Sequence, residues 1–317
     1  MAWIDLHIDS LRRAVEPGVD LLAGSARAQA DLPRLRAAGA RGAIWAACDD
    51  VYLEGPESLA FVLRMLAAGR DLVERAGGEL LLVRSRADWE RCRAGGPVGM
   101  ILAVEGAHSL LGCVEGLAAL HALGVRVLTL TWNQANPFAS GCGATPGEDR
   151  GLTPLGAELL VRARELGLWI DLAHASPRTL ADAMALLPPP ILVSHAGCAA
   201  LRPHRRNLTD DQLRALAAAG GLVGITIYPP FLVAEGGATV ATVAAHVAHA
   251  ARVAGPGAVA MGTDLDGITL LPTDVRGLEG LDRLRGALAA AGLAEEEIEG
   301  VMWRNAARAI AAALPEG

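Results

Sequence analysis

Short apolar runs alternate with stretches of helical periodicity along the chain. The runs at 42–47, 99–104, 125–131, 169–172, 191–193, 222–228 and 259–261 predict strands buried on both faces. Residues 3–9, WIDLHID, alternate apolar and polar, and predict a strand with Asp5, His7 and Asp9 on one face. A short run at 80–83 predicts one more. Helical periodicity covers 27–39, 57–76, 86–94, 117–123, 154–166, 209–219, 239–254, 277–291 and 294–313. Residues 134–151, rich in Gly, Pro, Asn and Ser, predict a long loop, and such loops in compact domains are usually functional.

Strands alternating with helices predict a parallel α/β fold. With 80–83 set aside as the extra strand, the remaining runs fit a closed (β/α)8 TIM barrel of the metal-dependent hydrolase type. A doubly wound open sheet is the alternative, although no GxGxxG follows an early strand. Residues 1–317 read as one domain, with no internal repeat, low-complexity tract or linker.

The stretch 168–207 organises the rest. Its two apolar runs each lead within a residue or two to a histidine, His174 and His195. Between them Ser176 and Pro177 open a helix as N-cap and first-turn residue. In a parallel barrel, strand carboxyl ends surround the active site. His7, Asp9, Glu105, His174, His195 and Asp264 all end predicted strands, so a barrel would bring them to one mouth. Three histidines and several carboxylates suit zinc or a similar borderline ion.

Composition narrows the partners. A net charge of −7 without a basic run argues against nucleic acid. There is no lysine, which excludes a Schiff-base or P-loop lysine. Five scattered cysteines without a CxxC predict reduced thiols. No apolar run is long enough to span a bilayer, so no membrane partner is expected. Met1 leads straight into strand-like residues with no basic region or cleavage site, and the expected location is cytoplasmic. The remaining polar residues have plainer readings. His108 reads as structural, His121 as surface, and His204 as positioning its loop. The HxxH of His246 and His249 lacks an HExxH glutamate and reads as an exposed helix face. The arginines at 27–41 read as a solvated helix and its flank. Asp266 is the rival of Asp264, and Asp5 could orient a ligand from behind.

The motifs DLHID at 5–9, QADLPRLRAAGARGAIW at 29–45, AVEGAHSL at 103–110 and LTLTWNQAN at 128–136 occur in that order. GLTPLG at 151–156, DLAHAS at 171–176, SHAG at 194–197, RRNLTDDQL at 205–213 and GTDLDG at 262–267 follow. Together they resemble the membrane (renal) dipeptidases, zinc peptidase family M19, over nearly the whole chain. The resemblance implies a (β/α)8 barrel with two divalent metal ions, zinc by family precedent. His7 and Asp9 would bind the more buried ion, His174 and His195 the other, and Glu105 would bridge both. A hydroxide bridging the metals would attack a small dipeptide, including one with a D-residue at its C-terminal position. Arg206 would hold the terminal carboxylate, and Asp264 would exchange protons with the water and leaving amine.

The chain departs from the animal members at Trp132, where they carry a substrate-contacting histidine; this is expected of a bacterial branch. Asn133 and Asn136 are the residues that could take over that contact, and Trp132 reads either as a pocket wall or as packing behind the site. The segment MWRNAARAI at 302–310 only loosely resembles the family's Gly-Asn leader. The signal peptide and lipid-anchor tail of animal members have no counterpart, so "membrane" does not carry over. A homodimer is compatible with the reading. Two alternatives stay open: another amide or ester hydrolase on the same barrel, such as a lactonase, and a catalytically silent ligand-binding barrel.

Overall fold

The computed structural model describes residues 2–49, 53 and 55–316. Nine parallel strands form one sheet: β1 (Trp3–Ile8), β2 (Ala40–Cys48), β3 (Leu80–Leu82), β4 (Val98–Glu105), β5 (Val125–Thr129), β6 (Trp169–Asp171), β7 (Leu192–Ala196), β8 (Leu222–Ile225) and β9 (Val259–Met261). Eight run in the order β1-β2-β4-β5-β6-β7-β8-β9, while β3 pairs with β4 beside that path. The first and last strands meet just beyond β9. Asp9 N–H donates to Leu265 at 2.8 Å, Asp264 N–H donates to His7 at 3.0 Å, and Ile8 bridges Leu265. This is a nearly closed (β/α)8 barrel.

Period two explains how the strands are buried on both faces. Ile44 and Ala46 of β2, and Ile101 and Ala103 of β4, join a cluster with Ile4, Leu6 and Leu222. Their neighbours Ala43, Trp45, Leu102 and Val104 belong to the larger cluster that includes the helices. The smaller cluster continues into Ile310 and Leu314 of the C-terminal helix. Every position of β1 and β4 is therefore buried, and β4 reads as an unbroken apolar run.

Local chemistry sets most helix starts. Ser176 accepts from Thr179 N–H and caps Pro177–Leu186, with Pro177 in the first turn, as the sequence predicts. Thr209 and Gln212 form a capping box on Asp210–Ala218. Three expectations are corrected. The helix expected over 27–39 is only Leu32–Ala37, capped by Asp31, because Gln29 and Ala30 N–H groups instead donate to the Asp266 carboxylate. β5 stops at Thr129 rather than 131. The helix expected over 294–313 is interrupted by a π-turn at Gly300–Arg304, beyond which Asn305 Nδ2 donates to the Pro256 and Val259 carbonyls.

Candidate metal centre and active-site cavity

The strand ends converge as expected. β1 delivers His7 and Asp9, β4 ends on Glu105, β7 contains His195, and His174 and Asp264 each follow a strand by three residues. They meet at a cavity of about 450 Å³ lined by Asp9, Glu105, Trp132, His174, Arg206 and Asp264 among others. His7 and His195 lie beneath it, against Glu105 and Asp264, and are 1% exposed. His174 and Asp264 adopt left-handed backbone, with φ of 64° and 68°. Non-glycine residues seldom do so, and such strain collects at functional sites. Gly267 shows how tight the packing is, since a Cβ there would collide with Asp9 Oδ2.

Glu105 stands at the centre and faces two ways. Its Oε2 lies 3.5 Å from His7 Nε2, which is itself 3.3 Å from Asp9 Oδ2. Its Oε1 lies 2.9 Å from His174 Nε2 and 3.7 Å from His195 Nε2. Two ligand groups therefore share this carboxylate: His7 with Asp9, and His174 with His195.

The hydrogen bonds behind the imidazoles decide their tautomers. Asn133 Oδ1 accepts from His174 Nδ1 at 3.0 Å. Ser194 donates to Asp171 at 2.6 Å, so its oxygen accepts from His195 Nδ1 at 2.9 Å. In both rings the proton sits on Nδ1 and Nε2 carries a lone pair. Those two Nε2 atoms are 3.0 Å apart and share the neighbourhood of the Glu105 carboxylate. Three acceptors meet with no proton among them, while His7 Nε2 is buried without a hydrogen-bond partner among the described residues. Such an arrangement is costly unless a cation is held there. The donor set, imidazole nitrogen and carboxylate oxygen, fits divalent zinc-like ions.

Charge separates along the site. Burial and Arg206 push His174 down to about 4, and burial and His7 push His195 well below the usual histidine range. Burial opposes charge on His7, yet Glu105 and Asp9 hold its pKa well above normal. Burial likewise opposes charge on Glu105, but His7 and His174 keep it well below the carboxylate range. Burial and Asp9 raise Asp264 well above that range.

The remaining site expectations divide. Arg206 is buried, donates from Nη2 to His195 O at 3.1 Å and lies over Phe231, while its Nε has no partner among the described residues. Trp132 is half-buried, lines the cavity and stacks on His174 at 5.5 Å. Asn133 both lines the cavity and holds His174. Asn136 is a correction: it does not line the cavity. Its amide donates to Leu130 O, and its oxygen accepts from Phe138 and Ala139 N–H, so every polar atom shapes the loop. The two aspartates differ in their surroundings. Asp266 accepts from Ser10, Arg13, Gln29 and Ala30, whereas Asp264 opens into the cavity. Asp5 reaches Thr263 and only the backbone of His7, so it closes the barrel seam rather than orienting the ring.

The expected exposed face at His246 is also corrected. His246 is 1% exposed, with Nδ1 accepting from Cys198 N–H and Nε2 donating to Leu232 O. His249 pairs with Asp210 at 2.7 Å. His204 supports its own loop, accepting from Arg206 N–H. His108 contacts Asp49 at 2.6 Å.

Three polar residues escaped sequence reading. Asp171 and Ser194 orient His195, and Asp49 lines the cavity with Oδ2 unpartnered. A polar residue inside an apolar run, two or three positions before a strand-end histidine, was the available signal for Asp171. Asp49 lies one residue past β2, which runs to Cys48 rather than 47.

The chain is similar to several known proteins. The sequence profile of the family described as Membrane dipeptidase (Peptidase family M19) matches residues 1–314. An uncharacterized protein of the pqqA 5' region in Klebsiella pneumoniae is 36% identical over 76% of this chain and 92% of its own length. An uncharacterized dipeptidase of Schizosaccharomyces pombe is 36% identical over 68% of this chain, a match that spans 53% of that protein. A metallopeptidase from Rhodobacter sphaeroides, solved with a phosphinate mimic of the dipeptide L-Ala-D-Ala, superposes with a TM-score of 0.89 at 26% identity, covering 98% of both chains. No helix among the described residues is long and apolar enough to cross a membrane. The chain belongs to the membrane dipeptidases, peptidase family M19, a family of metallopeptidases.

Proposed function

We propose that this protein is a zinc-dependent dipeptidase that hydrolyses the single peptide bond of small dipeptides, including those with a D-residue at the C-terminal position. The observation that carries the reading is the two-sided Glu105 carboxylate, with His7 and Asp9 on one face and His174 and His195 on the other. His7 and Asp9 would hold one divalent ion, His174 and His195 a second, and Glu105 would bridge them. Bound there, the pair supplies polarisation of the scissile carbonyl and a water that ionises near neutral pH.

The chain's own groups do the rest. Arg206 presents a buried guanidinium with an unpartnered Nε, which suits the forked geometry of a terminal carboxylate. Asp264, beside Asp9 at the cavity wall, receives the proton of the attacking water and passes it to the leaving nitrogen. Asn133 and the Asp171–Ser194 pair keep the histidine Nε2 atoms unprotonated and aimed. The solved relative bound to an L-Ala-D-Ala mimic supports a D-residue at the second position.

A panel of Xaa-L-Ala and Xaa-D-Ala dipeptides, with C-terminally amidated controls and an uncharged lactone, tests the reading. Cleavage of free dipeptides and not of amides is expected. Lactone turnover without dipeptide turnover would replace it with a lactonase.

A further inference from the structure

We propose that this site extends into an adjoining anion subsite that selects dipeptides whose C-terminal residue carries an acidic side chain. The inference rests on the dipeptidase reading, and it concerns a second cavity of about 590 Å³, lined by Asn133, Glu148, Arg150 and Arg205 among others. Asn133 and Arg205 also line the catalytic cavity, so the two spaces adjoin at these residues. Arg205 directly precedes Arg206. A dipeptide whose α-carboxylate met Arg206 would bring its C-terminal side chain within reach of this opening, because Asn133 and Arg205 line both spaces.

The charges in the second cavity point to an anion. Arg150 and Arg205 are exposed, and neither makes an ion pair among the described residues. Glu148 also lines this cavity, but its carboxylate accepts from the Thr145 hydroxyl at 2.7 Å and N–H at 3.2 Å and pairs with neither arginine among the described residues. Two unpaired cations facing one groove are notable in a chain of net charge −7. The arginines also stand on a fixed frame. Asp149 accepts from Ser176 Oγ and from Arg178 N–H at the start of a helix, and Arg150 N–H donates to Ser140. On the other side Gly143 N–H donates to Asn133 O at 2.7 Å. The lack of a side chain at Gly143 lets its backbone pack on Asn133, since a Cβ there would lie 2.6 Å from Asn133 O. A carboxylate between two such forks makes charge-assisted hydrogen bonds that an amide or methyl group cannot.

The test compares dipeptides Xaa-Glu, Xaa-Gln, Xaa-Lys and Xaa-Ala, in both configurations at the second residue, on the metal-loaded wild type and on Arg150→Ala and Arg150→Glu. The wild type should favour Glu over Gln by about 10-fold or more in kcat/KM, mainly through KM. Arg150→Ala should remove most of that preference and leave Xaa-Ala unchanged. Arg150→Glu should turn it toward Xaa-Lys, a gain that a merely damaged loop would not produce. Equal rates for Glu and Gln in the wild type, or an equal loss on Xaa-Glu and Xaa-Ala in Arg150→Ala, would overturn the subsite and leave the dipeptidase reading standing. No turnover of any dipeptide would overturn both.

Discussion

The floor and the rim of the cavity are built on different principles. The floor is made of strand ends: His7, Asp9, Glu105 and His195 are all buried, and each is fixed by backbone on both sides. The rim is made of loops: Trp132, Asn133, Arg205 and Arg206 follow β5 or lie between β7 and the helix Asp210–Ala218. On the floor, geometry is set by barrel closure, and an acceptor cluster without protons is tolerable only around cations. On the rim, the side chains line the open part of the cavity. Floor residues should therefore decide whether the chemistry occurs, and rim residues should decide on what.

The sharpest break is Glu105→Gln. An amide cannot bridge two cations, so activity should fall at least about a hundredfold, equivalent to several kcal/mol of lost transition-state stabilisation. The barrel should remain folded by circular dichroism, and near-normal turnover would show that the floor has another centre.

Next comes Ser194→Ala, at a residue that touches the ring of His195 and not the cavity. It removes the acceptor that holds the His195 Nδ1 proton and one donor to Asp171. Metal affinity should drop about 10- to 100-fold, read by competition with a chelator. An unchanged affinity would mean that the tautomer of His195 is set by something else.

Arg206→Ala moves the test to the rim. Loss of a charge-assisted contact costs roughly 1.5–3 kcal/mol, appearing as a raised KM on free dipeptides with metal content intact. Amidated substrates should be poor for both proteins and indifferent to the change.

The smallest effect on folding is expected of Trp132→Ala. Trp132 is half-buried and stacked on His174, not enclosed in the core. Its loss should reorder side-chain preference and cost less than the ~3–5 kcal/mol of a core aromatic deletion. An unchanged order with a large drop in melting temperature would make it a packing residue.

This contrast also explains what could be read from the chain alone. The eight-stranded barrel was legible because strands buried on both faces read as apolar runs, and a polar residue ending such a run stands out. His7, Asp9, Glu105, His174, His195 and Asp264 were found that way, and the structure brings them together. The rim was harder. Asn133 and Asn136 are both loop asparagines three residues apart, yet one faces His174 and the other holds its own loop. Sequence spacing cannot tell which, because the answer depends on contacts made after the loop folds. Likewise His246 looks like a surface residue on helical spacing, but both its ring nitrogens are occupied in the core by Cys198 and Leu232. The short helix at 32–37 has the same cause: Asp266, remote in sequence, captures the N–H groups of Gln29 and Ala30.

The most direct test of the two-sided floor is the metal content of the purified protein, measured by mass spectrometry alongside dipeptide turnover. Two divalent ions per chain are predicted, falling together with activity on chelation and returning together on addition of zinc. A metal-free preparation that remains fully active would contradict the account.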